Sequence, residues 1–207
     1  MHLINRLDRE TSGLVVVATE PEAARHLRRL WSQRLVRKRY LAIVHGWPPA
    51  DADSTLLSWP LGRDERSIVA VKDCVREDGA PAETLVRVRR RFERPEGRFA
   101  LLELEPRTGR KHQLRIHLAH WGHPLVGDKL YGPDERLYLA FVKERLSPED
   151  RRRLLLPHQA LHAGELEFPW ENGSACFTAP PEQWFEDFLD GAPLPEWTGR
   201  REESPGG

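Results

Sequence analysis

Residues 84–105 restrict the fold more than any other stretch. Two strand-forming runs, 84–92 and 98–105, flank Arg94-Pro95-Glu96-Gly97, a turn too short to let them do anything but pair antiparallel. Around this hairpin the same grammar recurs. Shorter strands are predicted over 67–72 and over 38–45, the latter closed by Gly46-Trp47-Pro48-Pro49. Strands over 161–168 and 174–178 flank Glu171-Asn172-Gly173, a second hairpin signal. The continuous apolar run 13–19 reads as a buried strand.

Helices are interspersed. Thr19-Glu20-Pro21-Glu22 has capping-box spacing and an early proline, which predicts a helix to about Arg34 with Ala24, Leu27, Leu30 and Trp31 inward. Leu114, His117, Leu118 and Trp121 recur at helical spacing after Gly109, with Gly122 as the stop. Ser147-Pro148-Glu149-Asp150 starts another helix, and Trp184, Phe185, Phe188 and Leu189 mark a last one. The expected fold class is α+β, with a mixed, mostly antiparallel central sheet and flanking helices. The expected organisation is one domain over 1–190 and a flexible tail over 191–207.

Composition bears on partners. With 39% hydrophobic and 31% charged residues the chain is too apolar for disorder and too polar for a membrane protein, and the run 14–18 is too short to span a bilayer. A cytoplasmic protein is expected. Cys74 and Cys176 are too few for a disulfide framework or a thiolate metal site. The formal net charge of +0 conceals segregation: nine Lys/Arg against four Asp/Glu over 1–46 and ten against four over 85–120, but four against eight over 51–84 and two against seven over 182–207. Two basic segments of this kind suit a nucleic acid backbone.

Two clusters carry candidate chemistry. Arg6-Leu7-Asp8-Arg9 places a carboxylate between two cations, and nearby positive charge favours the charged form of a carboxylate; surface ion pairs take the same form. Thr108-Gly109-Arg110-Lys111-His112-Gln113-Leu114-Arg115 delivers cationic and amide donors into a first helical turn, as a phosphate reader or a solvated basic face would. His112, His117, His120 and His123 raise a metal site and with it a hydrolase, but His117 and His120 lie three apart without a supporting cysteine.

These residues together resemble a known family. Asn5-Arg6-Leu7-Asp8-Arg9-Glu10-Thr11-Ser12-Gly13 is similar to the His-Arg-Leu-Asp-x-x-Thr-Ser-Gly signature of the RluA-type pseudouridine synthases. Lys38-Arg39-Tyr40-Leu41-Ala42 resembles that family's Lys-x-Tyr-x-Ala strand. The segment from Thr108 to His117, then Gly122-His123-Pro124-Leu125-Val126-Gly127-Asp128 and Tyr131-Gly132, resembles its third motif, and Leu161-His162-Ala163 a later element. The resemblance implies an RNA uridine-to-pseudouridine isomerase acting on structured rRNA or tRNA as a monomer, without cofactor, metal or membrane. It implies Asp8 as the essential carboxylate, nucleophile or base, and Arg115 as its salt-bridge partner. It also implies Tyr40 stacked on the base and a candidate for removing the C5 proton. Arg6 would fill the stack that the flipped uridine vacates, within an RNA-binding set of Arg6, Arg9, Thr11, Arg110, Lys111, His112 and Gln113.

Two departures qualify the match. Asn5 stands where the family usually has His, beside the essential residue, which implies tuning and not loss. Family members carry several dozen residues ahead of the first motif, including a Lys-Pro-x-Gly segment, where this chain has Met1 to Ile4. The expectation is a domain lacking its N-terminal portion, with an open sheet edge, exposed apolar surface and reduced stability. The competing reading is a catalytically weak RNA-binding remnant of the same family.

Overall fold

A computed structural model describes residues 1–49 and 54–197. The hairpin that dominates the sequence dominates the structure. Strands β8 (Glu83–Arg94) and β9 (Gly97–Pro106) pair from Thr84↔Pro106 to Arg94↔Gly97. Upstream lie β1 (His2–Leu3), β2 (Ser12–Gly13), β3 (Val17–Ala18), α1 (Pro21–Ser32), β4 (Arg37–His45), β5 (Ser54–Ser58), β6 (Leu61–Arg63) and β7 (Asp73–Val75). Downstream lie α2 (Gln113–His120), α3 (Arg136–Val142), α4 (Pro148–Leu154), β10 (Leu161–Trp170), β11 (Gly173–Thr178) and α5 (Gln183–Leu189). The central sheet runs β11-β10-β4-β9-β8-β5, antiparallel throughout, and β2 adds a parallel pairing to β10. It is the mixed, mostly antiparallel α+β fold that the sequence pattern predicts.

Strand periodicity decides what each face of the sheet carries. Along β4, Ala42 and Val44 join Leu102, Leu104, Leu114 and Leu118 in a core closed by α2. Ile43 points the other way, to Phe99, Phe185 and Phe188 beneath α5. Lys38 and Tyr40 share the parity of Ala42 and Val44, so the register of β4 places both on the α2 face.

The first twenty residues depart from expectation. Instead of one buried strand over 13–19 there are two short pieces, and Val15 and Val17 are exposed. The cause is Gly13. At φ +107 it packs so closely on β10 that a Cβ there would lie 2.2 Å from the Ala163 carbonyl oxygen, and after Leu14 N–H donates to that carbonyl (2.9 Å) the chain leaves the sheet. Val17 and Ala18 then pair with His2 and Leu3 as a separate ribbon over α1. Strand β4 is interior, with partners on both sides, and the outer strands of the sheet are β5 and β11; Leu3, Val15 and Val17 are exposed apolar side chains.

Other differences have local reasons. Helix α1 keeps its predicted buried face, Ala24, Leu27 and Leu30, but its N-cap is Glu20 with no side-chain cap bond, so Thr19 forms no capping box. The predicted box at Ser147 and Asp150 is present. Residues 67–72 form turns, not a strand: Ser67 and Ile68 bond to Glu135, and the pairing is made instead by β6 and β7. Helix α3 was not predicted. Past Gly191, Ala192 O accepts from Arg94 Nη2 (2.7 Å), Leu194 packs on the α5 core, and Lys129 and Arg151 each stand 5.8 Å from the Trp197 ring, so 192–197 of the expected tail contact the domain. Its remainder, 198–207, and the acidic residues Asp51 and Asp53 lie outside the described residues.

Candidate active site

Asp8 sits in the loop between β1 and β2, its backbone carbonyl closing a turn with Thr11 N–H (3.0 Å). A loop this close to the chain start is held from outside. Glu10 receives the ammonium of buried Lys129 (2.8 and 2.9 Å), which also donates to Pro157 O. Thr11 Oγ1 accepts from Gln159 Nε2 (2.7 Å). Asn5 bridges the loop to the departing chain, accepting from Val16 N–H (2.7 Å) and donating to Leu14 O (3.3 Å).

Arg115 projects from α2 beneath this loop. Its Nη1 donates to Asp8 Oδ2 at 3.1 Å. Its other two donors close on Asp128: Nε to Oδ2 (2.7 Å) and Nη2 to Oδ1 (2.8 Å). Asp128 Oδ1 also accepts the N–H groups of Leu130 and Tyr131, both at 2.9 Å. The expected Asp8–Arg115 pair exists, but the bidentate fork belongs to Asp128. Burial would lower the Arg115 pKa, yet Asp128 and Asp8 outweigh it and hold it above the ordinary value. Burial would likewise raise Asp128, and Arg115 with the two N–H bonds holds it below. The result is a carboxylate–guanidinium–carboxylate row in which one end, Asp128, is sealed and the other, Asp8, keeps 30% of its side chain open.

His112 borders the row. It is the N-cap of α2 in left-handed conformation (φ 55), and its Nδ1 lies 2.9 Å from Tyr131 Oη, which accepts from Asp73 N–H (3.2 Å). Burial pushes the Tyr131 hydroxyl up and, with Arg115, the His112 ring down, so both are neutral near pH 7. The other ring nitrogen, Nε2, lies 4.0 Å from Asp8 Oδ1.

Asp8, His112 and Arg115 wall a cavity of about 260 Å³ lined also by Arg6, Tyr40, Lys38 and Leu161. Tyr40 is pushed up to about 12, first by burial and then by the Asp8 charge. Arg6 is exposed at the rim. Arg9 stands over the Phe141 ring (5.7 Å) in the adjoining cleft, where Lys111 pairs with Asp73 (2.8 Å). Arg110 lines both spaces, its Nε bound to Pro81 O (3.1 Å).

Gln113, expected among the RNA contacts, lines the cavity but is 4% exposed, and its amide is satisfied internally. Oε1 accepts from Thr108 Oγ1 and Arg110 N–H, while Nε2 donates to Glu83 O and Thr84 Oγ1. It latches the basic loop to β8. Thr11 faces the cavity but is similarly engaged through Gln159. His117, one of the four histidines considered for metal, has both ring nitrogens bonded, to Thr84 Oγ1 and Trp59 O.

A family model described as RNA pseudouridylate synthase matches residues 1–120. The chain belongs to that family. An uncharacterized RNA pseudouridine synthase of Chloroflexus aurantiacus is 38% identical over 180 residues, covering 86% of this chain and 49% of that protein. The tRNA pseudouridine synthase C of Salmonella typhimurium is 44% identical over 139 residues, 62% of this chain and 51% of its own length. The chain therefore spans about half the length of these curated relatives. Among solved structures, human RNA pseudouridylate synthase domain containing 1 superposes with a TM-score of 0.71 at 26% identity, covering 94% of this chain and 82% of that one.

Asp128 and Tyr131 are the residues that sequence reasoning left without a role. Their signal was present: Asp128 closes the apolar string Pro124-Leu125-Val126-Gly127, where a buried carboxylate must find a cation.

Proposed function

We propose that this protein isomerises uridine to pseudouridine in structured rRNA or tRNA, with Asp8 as the essential carboxylate. The observation that supports this most is a base-sized cavity lined by Asp8, Arg115 and Tyr40, with Asp8 held by Arg115 and Arg115 in turn by the buried Asp128. Asp128 and Asp8 together bear two negative charges against one on Arg115, so the half-open end of the row is an anionic oxygen held in place, suited to begin cleavage as nucleophile or base.

The reaction needs little else. The C1′–N1 bond breaks, the uracil turns, C1′ bonds to C5, the C5 hydrogen leaves as a proton and N1 takes one up; nothing is oxidised. A uridine in a stem cannot reach Asp8 unless it flips out, and exposed Arg6 at the rim is positioned to occupy the gap. Tyr40 stacks on the base. A phenol with a pKa of about 12 is ionised to about one part in 10⁵ at pH 7. Tyr40 is thus a neutral phenol in the resting site. Arg9, Arg110 and Lys111 on the adjoining cleft favour backbone phosphates. Similarity to relatives named for tRNA and for ribosomal large subunit substrates supports RNA of these kinds.

Because C5 exchanges a hydrogen for carbon, RNA labelled with tritium at uridine C5 releases label to water on turnover. Incubation with bulk tRNA or rRNA transcripts should release tritium without added metal. Tight RNA binding with no release from either would overturn the reading.

A further inference from the structure

A second groove, of about 510 Å³, adjoins the Asp8 cavity between the C-terminal end of α1 and the loop after β9. Trp31, Lys38 and Arg110 line both spaces, so an occupant of one is next to an occupant of the other. The charge in the groove is lopsided. Among the described residues its one lining carboxylate, Glu105, is taken by Arg37 (2.9 Å), and Arg107 reaches Glu83 outside the groove (3.9 Å), leaving Arg34, Lys38 and Arg110 without a carboxylate partner.

Lys38 is the telling residue. Of the five lysines in the chain, Lys38, Lys72 and Lys129 are buried or half-buried. Lys72 is paired with Glu135 and Lys129 with Glu10, but Lys38 has no hydrogen-bond or ion-pair partner among the described residues. Its ammonium lies beside Gly109, where a Cβ would be 3.9 Å away. Partial burial lowers its pKa, and the half-buried side chain lines the groove with no counter-charge against it among the described residues, so an arriving anion would meet an unneutralised cation. Strand geometry sets it two residues, about 7 Å, along β4 from Tyr40 on the same face.

Arg34 makes the same case from the opposite wall. Helix α1 ends in a Schellman arrangement, Leu35 N–H to Leu30 O (3.0 Å) and Arg34 N–H to Trp31 O (3.1 Å). The left-handed position in that motif favours glycine, yet Arg34 occupies it at φ 59, its side chain exposed and without a partner among the described residues. A cation there also complements the helix dipole, but Lys38 on the facing strand has no such reason to be bare. The half-buried Trp31 lines the same groove, backed by Phe168 with ring centroids 5.9 Å apart.

We propose that this groove is a second nucleotide subsite of the RNA strand, with Lys38 and Arg34 on the phosphodiester adjoining the flipped uridine and Trp31 stacked under the neighbouring base. The proposal rests on the pseudouridine reading for the identity of the nucleotide in the first cavity. The subsite itself requires only that a single RNA strand passes through.

The test is the affinity of the full chain for a fluorescein-labelled octauridylate between 50 and 200 mM salt, alongside thermal melting and tritium release from tRNA and rRNA. Lys38→Met and Arg34→Gly should each flatten the slope of log affinity against log salt by about 0.7, the value for one phosphate contact on a single strand. Trp31→Leu should weaken binding about 5- to 150-fold with the slope unchanged. Arg34→Gly should at the same time raise the melting temperature, because glycine relieves the left-handed backbone; a purely structural arginine would not separate stability from affinity in this way. If the parent fails to bind the oligomer, or if Lys38→Met and Arg34→Gly both keep the parental slope, the subsite is refuted even when tritium release is normal. Flattened slopes in a protein that releases no tritium support the subsite and overturn only the reaction.

Discussion

Replacing Asp128 by Asn probes the row from its sealed end. The side chain is 1% exposed, so solvent cannot compensate for the lost charge. An Asn amide oxygen can keep the Leu130 and Tyr131 N–H groups, but its NH2 then confronts the Arg115 Nε donor, which the carboxylate accepts at 2.7 Å. Removing one partner of a buried ion pair costs about 3–5 kcal/mol, and the surviving Asp8 contact at 3.1 Å favours the lower end, about 3 kcal/mol. In a chain of this size that is roughly 6–12 °C of melting temperature. Urea titration with linear extrapolation measures it directly. Asp8→Asn alone leaves Arg115 on Asp128 and should cost less than about 1 kcal/mol, whereas the double variant strands a buried guanidinium and should lose more than the two single changes together, by about 0.5–3 kcal/mol. A loss below about 1 kcal/mol for Asp128→Asn, or strict additivity, would refute the shared-arginine account.

Further expectations follow from the same geometry. Asp128 has a folded pKa held below its ordinary 3.8, so its stabilisation is complete above that value and is lost as pH falls through the depressed folded value; Asp128→Asn should flatten the acid limb of stability against pH. Arg115→Lys keeps the charge but cannot make the three directed bonds and should retain partial tritium release, while Arg115→Met should be nearly inactive; equal activity of the two would remove the pair from the mechanism. Gln113→Ala breaks the latch between the basic loop and β8, so it should lower melting temperature more than it weakens the salt dependence of RNA binding, the reverse of what a direct RNA contact would do.

The helices and hairpins with local signals were legible in the chain. Ser147 and Asp150, the Arg94–Gly97 turn and the Glu171–Gly173 turn each specify backbone geometry within four residues, and the structure forms each. What failed depended on distant partners. Gly13 reads as an ordinary strand residue until Ala163, 150 positions later, is seen to need the space. Residues 67–72 carry strand-forming side chains but are bonded by Glu135 into turns. In the site, Asp8, Tyr40 and Arg115 were legible through motif resemblance, and they do line one cavity. The internal saturation of Gln113 and the grip of Asp128 on Arg115 were not legible, because donor and acceptor saturation is a property of the assembled network and not of residue type. Charge segregation was visible as counts, yet only the fold distinguishes Lys111, neutralised by Asp73, from Lys38, which has no such neighbour.

The central claim is that the Asp8 carboxylate performs chemistry and does not merely help bind RNA. It is tested most directly by measuring tritium release and RNA affinity together, under single-turnover conditions, for the parent and for Asp8→Asn. The account predicts that Asp8→Asn binds within a few-fold of the parent, melts cooperatively near the parental temperature and releases no tritium. Residual release by Asp8→Asn, at any rate above background, would contradict it.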